Sequence, residues 1–346
     1  MSPLDPRHAA AVIFGCAGTS LTDAERRLFA DADPFGFILF ARNVAAPDQA
    51  RELVAGLRSA VGRHDAPVLI DQEGGRVARL GPPHWRVAPA AADLGALALR
   101  DPDLATEAVA LNSRLIAAEL SQTGVTVDCL PVLDLPAPGA HDVIGTRAYG
   151  REPALVARLG RAACEGLLAG GVLPVIKHLP GHGRALVDSH HHLPVVTAER
   201  AALEDHDFRP FRALNDMPWG MTAHVVYAAI DPEHPATQSA RVIGQVIRGW
   251  IGFDGLLLSD DICMAALSGT PGERARRAVA AGCDVVLHCD GRIADMEAVA
   301  AAGGPMTEKA CHRAACGRAP APADVAFDSA DGETRLARLT AAATEA

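Results

Sequence analysis

The chain has 346 residues, 49% of them hydrophobic, enough to bury the core of one large α/β domain or of two ordinary ones. Its formal net charge of −10 speaks against nucleic acid or an anionic membrane surface, both of which need clustered Lys and Arg. No apolar run approaches the roughly 18–20 residues that span a bilayer, so neither kind of partner is expected.

The first apolar run, residues 9–15, follows Arg7 and leads into Cys16, which loosely has the look of a lipoprotein cleavage box. Asp5 and Pro6 stand where a basic leader region should be, so the run reads as a first core strand. Short apolar, β-branched runs then recur at 11–14, 36–40, 67–70, 126–133, 173–178, 219–225, 255–259 and 284–288. Between them lie segments with apolar spacing near 3.6, namely 48–61, 103–123, 153–169, 201–215, 239–250 and 273–281. Continuously apolar strands alternating with helices imply a parallel sheet covered on both faces. Eight such units fit a single closed (β/α)8 barrel over residues 1–304 better than an open doubly wound sheet. No glycine-rich dinucleotide fingerprint follows the first strand, which removes the main support for a Rossmann fold. Residues 305–346 are Ala-rich with a Pro-containing break, and read as an accessory helical or partly disordered tail.

The cysteines at 16, 129, 164, 263, 283, 289, 311 and 316 form no Cys-x-x-Cys pair. Several fall in apolar runs, the pattern of reduced, mostly buried thiols in a cytoplasmic protein. No cofactor and no metal site is expected from them.

Polar residues collect where the strand runs end: Asp71 and Glu73 after the third, Asp134 after the fourth, Lys177 and His178 after the fifth. His224 lies within the sixth, and Asp260 and Asp261 follow the seventh. In a barrel all these ends open on one face, where active sites of that fold lie. Of the two consecutive aspartates one should enter the mouth and the other point away. Asp260 is read as the nucleophilic carboxylate and Asp261 as a helix cap.

Asp188-Ser189-His190 sits on a loop too polar for a core. A carboxylate beside an imidazole fixes its tautomer and suits it to proton transfer, so Asp188 and His190 read as an acid/base pair. His178, His182, His190, His191 and His192 with Asp188 could instead supply zinc ligands. Three consecutive histidines cannot easily converge on one ion, however, and the 178/182 spacing runs through Pro180 and Gly181. Asp71-Gln72-Glu73-Gly74-Gly75-Arg76 could hold a polyol through bidentate carboxylate hydrogen bonds. Lys177 and His178 should split, one reaching the mouth and one lining its wall. Arg147, on a turn-rich loop after the fourth strand, is either a substrate clamp or a loop staple. Two carboxylates, Asp71 and Asp260, with a loop-borne acid point to glycoside hydrolysis.

These residues carry a resemblance. Asp71-Gln-Glu-Gly-Gly-Arg76, Lys177-His-Leu-Pro-Gly-His-Gly183, Asp188-Ser-His190, Met221-Thr-Ala-His224 and Ser259-Asp-Asp-Ile262 resemble glycoside hydrolase family three, and within it the bacterial β-N-acetylglucosaminidase branch. The resemblance implies a single-domain barrel and a retaining double displacement, with Asp260 attacking the anomeric carbon and His190, held by Asp188, as acid/base. It also implies that Asp71, Arg147, Lys177 and His178 hold the sugar hydroxyls. Arg76 and His224 are added here as expected substrate contacts. The implied substrate is N-acetylglucosaminyl-anhydro-N-acetylmuramic acid, with or without its peptide, cleaved in the cytoplasm by a monomer. Ala148 departs from the usual Ser after the arginine, and His191 and His192 extend the loop motif. A phosphorylase of the same family and a metal-dependent hydrolase built on the histidine loop remain as alternatives.

Overall fold

The structure, a computed structural model, describes residues 9–317 and 327–341. Eight parallel strands close into a barrel in chain order: β1 Ala10–Gly15, β2 Pro34–Leu39, β3 Val68–Ile70, β4 Val127–Asp128, β5 Leu173–Leu179, β6 Trp219–Thr222, β7 Leu256–Asp261 and β8 Val285–His288. The last strand pairs with the first, Val12 facing Val286 and Phe14 facing His288, so no sheet edge is left open. The run at 9–15 is thus a buried barrel strand.

Alternation along each strand sorts the apolar residues into two cores. Ile13, Ile38, Leu69, Val127, Val175, Trp219, Leu258 and Val285 fill the barrel interior. The opposite faces pack against the surrounding helices, as with Phe14, Phe37, Val68, Ile70, Ile176, Leu257 and Val286. Helix Glu308–Cys316 sends Ala310 and Cys311 into the interior cluster. It is held there by Arg313, which pairs with Asp254 and with Asp284. Helix Ser329–Ala341 instead lies on helix Pro102–Thr123, burying Leu336.

Three elements differ from the sequence reading, each for a local reason. The pattern at 201–215 breaks into helices Arg200–Asp205 and Arg209–Ala213, because Pro210 has no N–H and suits only a helix's first turn. Residues 242–250 wind as a π-helix, shifting the 3.6 spacing. The fourth strand is much shorter than 126–133: Pro131 cannot donate to the ladder, and only an isolated bridge, Val132 to Lys177, continues it.

Candidate active site

At the C-terminal end of the barrel lies a cavity of about 400 Å³. Its lining includes Asp71, Arg76, Arg147, Lys177, His178, His182, Asp188, His190, Asp260 and Asp261, so most of the strand-end residues singled out in the sequence converge, while Glu73, Asp134 and His224 stand outside the lining.

The floor is an ion-pair network. Lys177 Nζ, almost fully buried, lies 2.8 Å from Asp71 Oδ1 and 2.7 Å from Glu73 Oε1. Arg147 grips the same Glu73 in a fork, Nε to Oε2 at 2.9 Å and Nη2 to Oε1 at 2.8 Å, and Arg79 Nη2 reaches Asp71 Oδ2 at 3.1 Å. Burial alone would raise both carboxyls, but Lys177 first, then Arg79 at Asp71 and Arg147 at Glu73, hold them below their ordinary values. The same carboxylates overcome the desolvation of Lys177 and keep it charged. Glu73 is the hub of this network. Its position two residues after Asp71, on the same side of an extended chain, was the signal for it.

Lys177 and His178 do not split as expected: both side chains line the cavity, and the peptide between them is cis. His178 is oriented from behind by Asp134, whose Oδ2 lies 2.6 Å from Nδ1. The other Asp134 oxygen accepts the backbone N–H of His178 (3.3 Å) and of His182 (2.6 Å). Asp134 is fully buried, yet His178 outweighs that burial and keeps it ionised. Arg147 Nη2 stands 3.5 Å from His178 Nε2, so Arg147 clamps the floor and borders the imidazole facing the cavity.

Asp260 and Asp261 end β7. Asp260 Oδ1 accepts the Asp261 N–H at 2.8 Å, while Asp261 Oδ1 accepts the N–H groups of Cys263 (2.9 Å) and Cys289 (3.2 Å). Asp261 therefore caps a turn rather than the helix start expected of it, since the next helix begins only at Pro271. Burial pushes the Asp260 carboxyl up, but the imidazoles of His224 and His178, with the Asp261 N–H, hold it below its ordinary value. It is an anion on the cavity wall.

Glu73 and Asp134 brace lining residues from behind, but His224 touches none of the expected substrate space. It is fully buried behind that wall, with Nδ1 2.7 Å from Thr237 Oγ1 and Nε2 3.0 Å from the Asp261 carbonyl. Both nitrogens are engaged and the ring does not line the cavity, so the expected substrate contact is replaced by support of the strand end carrying Asp260. Arg76 does reach the rim, where its Nη2 staples the 142–144 loop by donating to the carbonyls of Asp142, Val143 and Ile144.

The loop after β5 brings the Asp188–His190 pair. Asp188 Oδ1 lies 2.7 Å from His190 Nδ1 and accepts the His190 N–H at 2.9 Å, which assigns the proton to Nδ1 and turns Nε2 outward. Burial pushes the Asp188 carboxyl up, but the backbone N–H and ring of His190 together outweigh it and hold the carboxyl low. The His190 ring is well exposed, while Ser189 between the pair is buried, its Oγ 3.0 Å from His182 Nε2. Burial pushes His182 down to about 4, so it is a neutral anchor. Further along, the loop is tied by Arg184 to Asp207 at 2.7 Å, and by the Gly183 carbonyl accepting the Ala137 N–H at 2.9 Å. A Cβ on Gly183 would meet the Leu135 carbonyl at 2.0 Å, so only glycine allows this approach. The His190 carbonyl accepts the Ala265 N–H at 3.3 Å, seating the loop against the segment just beyond Asp260. The histidines do not share one centre: Asp134 holds His178, Ser189 holds His182 and Asp188 holds His190.

A (β/α)8 barrel with a buried anionic carboxylate, a floor of paired Lys, Arg and carboxylate groups and a loop-borne Asp–His pair has the make-up of a glycoside hydrolase. Residues 15–316 match the glycosyl hydrolase family 3 N terminal domain. The chain is 42% identical over 283 residues to the beta-hexosaminidase of Alkalilimnicola ehrlichii, covering 81% of this chain and 80% of that one. Native NagZ from Neisseria gonorrhoeae shares its architecture at a TM-score of 0.87 and 32% identity, over 97% of this chain and 99% of that one. The same protein in complex with N-trifluoroacetyl-D-glucosamine matches equally, with a TM-score of 0.87 and 32% identity over 97% of this chain and 100% of that one. The chain belongs to glycosyl hydrolase family 3 and is a β-N-acetylhexosaminidase acting on a carbohydrate. Among the described residues no helix is long and apolar enough to cross a membrane.

Proposed function

We propose that the enzyme releases N-acetylglucosamine from the non-reducing end of muropeptide fragments by a retaining double displacement. Asp260 attacks the anomeric carbon as His190 Nε2 gives its proton to the leaving oxygen, and a glycosyl ester forms on the carboxylate. Asp188 stabilises the imidazolium that proton transfer requires. In the second step the neutral His190 takes a proton from water, which displaces Asp260 from the sugar. Asp71, Lys177, Arg147 and His178 hold the sugar hydroxyls meanwhile. The observation that carries this reading is the pairing of two groups on one cavity: a carboxylate kept anionic by surrounding imidazoles, and a dyad on the loop docked beside it.

The muropeptide assignment rests on the motif likeness and on the rim, where Arg76 suits an aglycone bearing carboxylates. A cytoplasmic setting is supported by eight free cysteines, most of them buried. Asp260→Ala is expected to lose turnover of an aryl N-acetyl-β-glucosaminide by at least about 10⁴-fold. The native enzyme should convert N-acetylglucosaminyl-anhydro-N-acetylmuramic acid faster than the aryl sugar's N-acetylgalactosamine counterpart. Unchanged turnover by Asp260→Ala, or sugar 1-phosphate as product in phosphate buffer, would replace this reading.

A further inference from the structure

On the far side of the β7–β8 corner lies a second cluster that the reaction does not use. The Cys263 Sγ, a ring nitrogen of His288 and a carboxylate oxygen of Asp290 all lie within 4.8 Å of one another. His288, at the end of β8, is fully buried, and neither of its ring nitrogens has a hydrogen-bond partner among the described residues. Asp290 Oδ1 stands 3.6 Å from its Nε2, too far for a hydrogen bond. An imidazole buried with nothing to bond costs on the order of 1–3 kcal/mol, so a fold that retains one invites a reason. Asp290 is pre-set by Arg292, whose N–H donates to Oδ1 at 2.9 Å and whose Nε donates to Oδ2 at 2.7 Å. Each oxygen keeps a further lone pair. Phe14 packs edge-on against the His288 ring at 6.1 Å and fixes its plane.

We propose that Cys263, His288 and Asp290 form a zinc-class metal site, separate from the sugar cavity and sharing a wall with it. Thiolate, imidazole and carboxylate together select a borderline-soft ion over calcium or magnesium. Three protein ligands leave the fourth tetrahedral position to water. Bonds of about 2.0–2.3 Å place tetrahedral ligands roughly 3.3–3.8 Å apart, so side-chain shifts of about 1 Å close the present cluster onto an ion. As the metal–sulfur bond forms, the Cys263 thiol releases its proton to solvent. The site joins the active centre through Asp261, whose Oδ1 accepts the N–H groups of Cys263 and of Cys289, and Cys289 lines the sugar cavity.

The test is cobalt titration of the reduced, chelator-treated full chain. One equivalent should bind with a thiolate-to-cobalt charge-transfer band, be displaced by zinc, and zinc should raise the melting temperature. Cys263→Ser should abolish the band, and Asp290→Asn should keep it while weakening affinity at least tenfold in competition with a chromophoric chelator. His312→Ala should change neither, which matters because the exposed Cys316 Sγ lies 3.5 Å from His312 Nε2. No band in the native protein, a band surviving Cys263→Ser, or one lost in His312→Ala overturns the proposal. If Cys263→Ser does not fold, unchanged affinity in Asp290→Asn overturns it alone.

Discussion

Glu73 and Arg147 stand 74 residues apart in the chain and meet in a two-bond fork beneath the sugar cavity, with Lys177 sharing the same carboxylate oxygen. Both partners are nearly buried, so the pair gains from its geometry only while it is complete. Removing one member leaves uncompensated charge, which costs about 3–5 kcal/mol. Glu73→Gln is therefore expected to lower unfolding free energy by about 3 kcal/mol at neutral pH and to raise KM more than it lowers kcat. Denaturant unfolding and steady-state kinetics check both; a loss under about 1 kcal/mol would show the network to be replaceable.

That network also sets an acid limit. Asp71 and Glu73 are both held below their ordinary values of 3.8 and 4.5 in the folded state. The unfolded chain therefore binds protons first, and the stabilisation is complete above about pH 4.5 and lost as pH falls through the folded values. Stability measured from pH 6 downward should fall more steeply in the native protein than in Glu73→Gln. Parallel curves would contradict the assignment.

Asp128, just behind the floor, behaves oppositely. Its Oδ1 accepts the Gln72 N–H at 3.0 Å, but Oδ2 has no partner among the described residues, and burial pushes the carboxyl well above 3.8. A raised folded value means stability that is full below 3.8 and is lost as pH rises. Asn keeps the Gln72 bond and cannot ionise. Asp128→Asn should match the native protein near pH 3.5 and be increasingly more stable from there to pH 8. A constant difference across that range would contradict a neutral Asp128.

Ser189 tests the loop. Its hydroxyl is the partner of the neutral, buried His182, and its neighbours on either side are Asp188 and His190. Ser189→Ala leaves an imidazole nitrogen unbonded, a local cost of about 1–3 kcal/mol, and lets the dyad wander. We expect kcat to fall roughly tenfold with KM within about twofold, because positioning of the acid rather than sugar binding is lost. Equal loss in Asp188→Ala and in the double variant would confirm that both act through His190.

Much of this arrangement was legible in the chain. The β/α alternation gave the barrel, and polar residues at the ends of apolar runs gave the mouth, because that fold sends every strand end to one face. Asp260, Lys177 and the Asp188–His190 pair follow from position alone. What pattern could not give was depth. His224 lies near the end of an apolar run much as His178 ends one, yet one is enclosed by Thr237 and the Asp261 carbonyl while the other opens to the cavity. Asp134 looks like any polar residue after a strand until His178 is seen resting on it. The Cys263–His288–Asp290 cluster has no motif spacing, since two strand ends bring it together through space.

The central claim is that Asp260 bonds covalently to the sugar. The direct measurement is intact-mass and peptide-level mass spectrometry of enzyme quenched by acid during turnover of an activated aryl N-acetyl-β-glucosaminide by His190→Ala, in which breakdown of the ester should be slowed. The account predicts one N-acetylhexosaminyl group per chain, located on the peptide carrying Asp260 and absent from the His190→Ala/Asp260→Ala double variant. An adduct on another residue, or turnover by His190→Ala with no adduct and an inverted product, would contradict it.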